Sequence, residues 1–95
     1  MTPQTFATDM QAQGFDAPVD VQRPQGWHLE SHAHPFHARA LILSGAIVLE
    51  VDGIQRTYRP GDIFDLPPDT PHLETVPNEG GVHYLSARRA SGAGA

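Results

Sequence analysis

From residue 19 to residue 87 every apolar run in this chain is short and is closed by a cluster of turn-forming residues. The runs are VDVQR, WHLESHAH, RALILS, AIVLEV, IQRTYR, DIFDL, HLETV and VHYLSA, and the separators include PQG, SG, DG, PGD, PPDTP and PNEGG. None of these segments sustains the 3.6-residue periodicity of a helix. About eight strands at this spacing, with no helices between them, predict an all-β sandwich or barrel. Asp52-Gly53, between AIVLEV and IQRTYR, predicts a two-residue hairpin, because both residues tolerate the positive φ of a type I′ turn.

Upstream of the strands the pattern changes. Thr2 reads as an N-cap and Pro3 as a first-turn proline, Phe6 and Met10 are spaced i, i+4, and Gly14 supplies a stop, so one short helix is predicted over 3–13. The expected organisation is a helix and lead-in over 1–18, a barrel over 19–88 and a flexible tail over 89–95, where ASGAGA offers only small residues.

Ninety-five residues leave room for one domain, and 39% hydrophobic content leaves it a limited core. Such a core gains from a metal or a second subunit, so a homodimer is expected, and exposure of Trp27, Leu29, Leu41 or Leu43 would support it. The chain has no cysteine, so any metal must be held by His, Asp or Glu. Its formal charge is -5, and all six basic residues are arginines scattered along the chain, a poor footprint for nucleic acid. No run of about 18 apolar residues offers a membrane span, and MTPQTFATDM lacks the basic start and apolar stretch of a secretory signal, so the cytoplasm is the expected location.

Against this background the histidines stand out: SHAHPFHA carries three of the six, and His28 lies just upstream. Strict strand alternation places His28, Glu30, His32 and His34 on one face and Trp27, Leu29, Ser31 and Ala33 on the other. A solvated outer face is the competing explanation for such a pattern.

The wider spacing resembles the cupin superfamily. Gly26, five residues, His32, Ala33, His34 and a later Gly45 match its first motif, and Gly61-x5-Pro67-x-Asp69-x2-His72 is similar to its second, with Asp69 where glycine is usual, a swap that its tolerance of turn conformations permits. The two motifs lie in order, about 16 residues apart, and the resemblance covers roughly residues 26 to 86. HAHPFHARALILSGAIVLEVDG and YRPGDIFDLPPDTPHLE look like small single-domain bacterial cupins. That implies a double-stranded β-helix, or jelly-roll barrel, with histidines facing its mouth.

The resemblance implies a divalent metal on two histidines and a carboxylate of the first motif and one histidine of the second. By position these are His32, His34 and His72, but the carboxylate is absent: Ala38 stands in its place. His37, one residue earlier, is one candidate for the fourth ligand if a bulge at Pro35-Phe36 turns it inward, although alternation opposes this. Glu74 is the other. Two residues beyond His72, it shares that histidine's inward face and could ligate the metal, orient a histidine or act as a catalytic general base. Three or four imidazoles favour Zn, Fe, Ni, Cu or Mn over Mg or Ca. His28 and Glu30 are weaker candidates, and His83, Arg88 and Arg89 read as rim residues.

Three functions are compatible with this pattern. The chain is a metal-dependent enzyme acting on a small organic substrate, a non-catalytic binder of a metal or small ligand with a depleted site, or a dimeric interaction module.

Overall fold

The computed structural model describes residues 1–90. One helix, α1 (Pro3–Ala12), precedes eight strands: β1 (Val19–Arg23), β2 (His28–His32), β3 (Phe36–Gly45), β4 (Ile47–Val51), β5 (Ile54–Tyr58), β6 (Ile63–Leu66), β7 (His72–Thr75) and β8 (Val82–Ala90). They form two four-stranded antiparallel sheets with orders β1-β8-β3-β6 and β2-β7-β4-β5. The chain changes sheet at every connection except the β4–β5 hairpin, which is the jelly-roll path. The tail expected over 89–95 begins inside β8, and residues 91–95 lie outside the described residues.

Local chemistry explains the ends of the elements. Thr2 Oγ1 accepts the Thr5 N–H at 3.0 Å, and Pro3 occupies the first helical turn, where a missing N–H costs nothing. The helix closes on Gly14, whose φ of 84° lets its N–H reach the Gln11 carbonyl while Phe15 N–H reaches that of Met10. Asp52 and Gly53 both have positive φ, 53° and 76°, as their hairpin requires. At the β3–β4 crossing a Cβ on Gly45 would run into the Gly81 carbonyl oxygen, so no other residue fits there.

β3 shows how the core is divided. Its alternate residues Ala38, Ala40 and Ile42 face between the sheets, where they meet Ile47, Leu49, Phe64, Leu66, Val76, Val82 and Tyr84. Leu41 faces the other way and joins Phe6, Met10, Phe15 and Ala87 beneath α1, with Leu43 and Leu85 packed alongside. The helix therefore covers the outer face of the β1-β8-β3-β6 sheet. Leu41 and Leu43 pack under it, and Trp27 and Leu29 line the interior cavity, so these four do not form an exposed apolar face.

Phe6 is completely buried at the centre of the helix-side core. Phe6→Ala is expected to lower the unfolding free energy by about 3–5 kcal/mol, the range for phenylalanine truncation in a core. Urea denaturation of the two proteins measures it, and a loss below about 1 kcal/mol would show that α1 contributes little to the fold.

Candidate metal centre

β2 and β7 bring the first two imidazoles together. Leu29 pairs with Glu74 and His32 with His72, so three residues of β2 advance against two of β7, and Glu30-Ser31 forms a bulge. The bulge corrects the strict alternation expected of WHLESHAH. Leu29 and His32 face inward together, whereas His28 and Glu30 turn to solvent and pair with each other at 3.2 Å. His34 lies beyond the end of β2 and is held through its backbone, its carbonyl accepting the Asp69 N–H at 2.7 Å. Asp69 has φ 60°, so the residue that replaces the usual glycine adopts the left-handed turn and ties the second motif to the first.

The three imidazoles line one wall of a cavity of about 150 Å³. Ring centroids are 4.2 Å apart for His32–His72, 4.8 Å for His32–His34 and 5.5 Å for His34–His72. One ligand nitrogen from each lies within 4.8 Å of the others. His32 Nδ1–H donates to the Glu30 carbonyl at 2.8 Å and His72 Nδ1–H to that of Thr70 at 2.9 Å. These bonds set the tautomer and leave both Nε2 lone pairs free. Both Nε2 atoms are buried without a hydrogen-bond partner, a costly arrangement for a polar atom unless something binds there.

Glu74 stands beside two of the three imidazoles. Its Oε2 lies 3.5 Å from His72 Nε2 and 3.7 Å from His32 Nε2, while Oε1 accepts the Trp27 indole N–H at 3.3 Å. For ligands about 2.0–2.1 Å from a tetrahedral metal, neighbouring donor atoms stand about 3.4 Å apart. Three imidazoles, with a half-buried carboxylate beside two of them, form a donor set of the type that suits a divalent transition metal.

Burial and neighbouring charges act on these groups in different directions. Burial, reinforced by the neighbouring His32, His72 and Arg88, pushes the His34 imidazole below its ordinary 6.5, so it is neutral and able to ligate at pH 7. The Glu74 carboxylate beside His72 raises that histidine against its own desolvation. For Glu74, burial works upward, but the His72 imidazole and the Trp27 N–H outweigh it and hold the carboxyl below its usual value, ionised. Tyr84, also on the cavity wall, is pushed up to about 12 by burial and by Glu74, so its hydroxyl keeps its proton.

His37 lies elsewhere. β3 and β8 pair regularly through Phe36, His37 and Ala38, so no bulge turns His37 inward and it faces the helix side. Arg89 Nη2 donates to its Nδ1 at 3.2 Å, and its Nε2–H donates to Asp65 Oδ1 at 2.6 Å, leaving no lone pair for a metal. His83 is likewise occupied, 2.7 Å from Asp20 Oδ1. Sequence reasoning missed Trp27 as the partner of Glu74, because alternation assigned it to the face opposite the histidines. It also missed Arg23 and Tyr84 as cavity residues. A polar ring inside an apolar β8 pattern was the available sign for Tyr84.

The family model described as Cupin domain matches residues 19–87. Among solved structures, the chain is similar to a DMSP lyase, DddQ, from Ruegeria pomeroyi, with 26% identity and a TM-score of 0.70 over 83% of this chain and 40% of that one. It is similar to a predicted oxalate decarboxylase from Thermotoga maritima at 15% identity and a TM-score of 0.70, covering 87% of this chain and 73% of the other. A Cupin 2 conserved barrel domain protein from Salinispora arenicola matches at 20% identity and a TM-score of 0.70, covering 82% and 65%. The chain thus spans well under half of the lyase's length. No curated protein matches the sequence. No helix among the described residues is long and apolar enough to cross a membrane.

In the metal-free protein, NMR titration is expected to place His72 above 6.5 and His34 below it. A folded value above the unfolded one means that the His72–Glu74 pair stabilises most fully below pH 6.5 and loses its effect as pH rises through the folded value. Glu74→Gln should return His72 towards 6.5 and remove that slope. An unchanged His72 midpoint in the variant would show that Glu74 does not set it.

Proposed function

The chain belongs to the cupin domain family, and within it we propose that this protein holds one divalent transition-metal ion on His32, His34 and His72, with Glu74 as the carboxylate ligand, and acts on a small organic substrate in the adjoining cavity. The observation that carries this reading is the pair of buried Nε2 atoms of His32 and His72, which face Glu74 Oε2 at 3.7 and 3.5 Å without a formed hydrogen bond, each fixed in orientation by an Nδ1–H bond to a backbone carbonyl. His37, held by Asp65 and Arg89, has no part in it.

Glu74 stands in for the carboxylate that Ala38 lacks. It reaches the imidazoles from β7 instead of β3, and Trp27 orients it so that Oε2 faces them. A bound divalent ion would supply Lewis-acid polarisation of a substrate oxygen. The chain's own residues supply the rest: apolar walls from Leu29, Phe64 and Leu66 exclude water, and the Tyr84 hydroxyl, protonated at neutral pH, offers a proton or hydrogen bond to a substrate. A non-catalytic binder is the second reading, favoured by Ala38 itself. The neighbours named for a reaction, a DMSP lyase and a predicted oxalate decarboxylase, differ in chemistry, so the fold does not choose between reactions.

Metal analysis of untagged protein is expected to find about one equivalent. Calorimetric titration with zinc should show His32→Ala and His72→Ala weakened by about 100-fold or more and Glu74→Gln by about 10–100-fold, with His37→Ala unchanged. Affinity should fall as pH drops, because the ligands must be neutral imidazoles. Parental affinity in both the His32 and the His72 variants would refute the shared site.

A further inference from the structure

Two cationic side chains border the cavity without an anionic partner, Arg88 exposed to solvent and Arg23 half-buried. Arg88, on β8, pairs directly with Ala38 of β3, and both line the cavity. Its guanidinium lies 4.6 Å over the Phe36 ring, which also stacks on His34 at 4.8 Å. Among the described residues the Arg88 side chain makes no ion pair and no hydrogen bond. Arg23 comes from β1 with its guanidinium 4.7 Å over Trp27; its Nη1 donates to the Gln22 carbonyl at 2.9 Å, and its Nε is buried without a partner. A guanidinium stacked on an aromatic face keeps its in-plane N–H fork free, which is the geometry that meets a carboxylate.

The charge balance points the same way. The chain carries -5 overall, yet the cavity sets two arginines against the single carboxylate of Glu74, and a divalent ion would make it more positive still. The small methyl of Ala38 leaves open the space beside Arg88 and the imidazole wall. A cavity of about 150 Å³ matches a ligand of about six non-hydrogen atoms, since a cavity of that size accommodates benzene.

We propose that the cavity binds a small organic carboxylate of about six non-hydrogen atoms, its carboxylate beside Ala38 and paired with Arg88, its apolar part against Leu29, Phe64 and Leu66. Arg23 adds positive potential from the opposite end. The proposal rests on the metal-binding reading only for the identity of the neighbouring imidazole wall; the anion preference belongs to the arginines.

Butyrate and butyramide, equal in size and different in charge, separate these points. Their binding is measured by NMR shift titration against both the metal-free and the zinc-loaded protein, with zinc affinity measured separately. Butyrate is expected to bind at least about tenfold more tightly than butyramide in both forms. In the metal-free protein Arg88→Met should abolish that preference, zinc binding being retained, and Ala38→Leu should block butyrate, with thermal melting showing that both variants fold. If zinc fails to bind while the preference persists and depends on Arg88, the carboxylate proposal stands and the metal reading falls. Equal binding of acid and amide, a preference that survives Arg88→Met, or no binding of butyrate to either form would overturn it.

Discussion

β2 presents one residue more than β7 between Leu29 and His32, and the site depends on that surplus. Without the bulge at Glu30-Ser31, pairing Leu29 with Glu74 would put Ser31 opposite His72, and His32 would point to solvent. A one-residue slip moves every side chain of a strand to the other face, so the extra residue rotates His32 onto the cavity wall while Leu29 stays there. The same bulge sends His28 and Glu30 outward, where they pair with each other.

The cavity then has to carry buried polar groups at tolerable cost. His72 is the one polar side chain fully buried among the described residues, and its Nδ1–H is satisfied locally by the Thr70 carbonyl. Glu74 is ionised despite burial because Trp27 and the imidazoles surround it with donors and positive potential. Each interaction leaves one face of the group free, so the Nε2 atoms of His32 and His72 and the Oε2 of Glu74 face one another. This is a preorganised arrangement, with the orientation of each group set by bonds outside the site.

The outer face of the β1-β8-β3-β6 sheet uses similar residue types for a different end. Phe15 lies between the guanidiniums of Arg39 and Arg89, 5.1 Å and 4.7 Å from its ring, and meets His37 edge-on. Arg39 and His37 converge on Asp65, and hydrogen bonds from Arg39 and Arg89 reach Gln13 at the end of α1. Burial raises the Asp65 carboxyl, but Arg39 and His37 more than offset it and the net value is lowered. The histidine that strand alternation set apart from the others is thus one of the residues that dock the helix.

Much of the architecture was legible in the residues themselves, because turn chemistry and periodicity are local. The eight runs became eight strands, Asp52-Gly53 took positive φ, Thr2 and Gly14 bounded the helix, and Asp69 accepted the left-handed turn in place of glycine. The facing of His37 also followed from period-2 alternation, which β3 obeys there. Tertiary structure decided what alternation cannot express. A bulge exists only relative to a partner strand, so the sequence of β2 alone could not say that Leu29 and His32 share a face while His28 and Glu30 do not. The pairing of Trp27 with Glu74, 47 positions away, and the opening of Arg88 onto Ala38 likewise depend on which strands the jelly roll sets side by side.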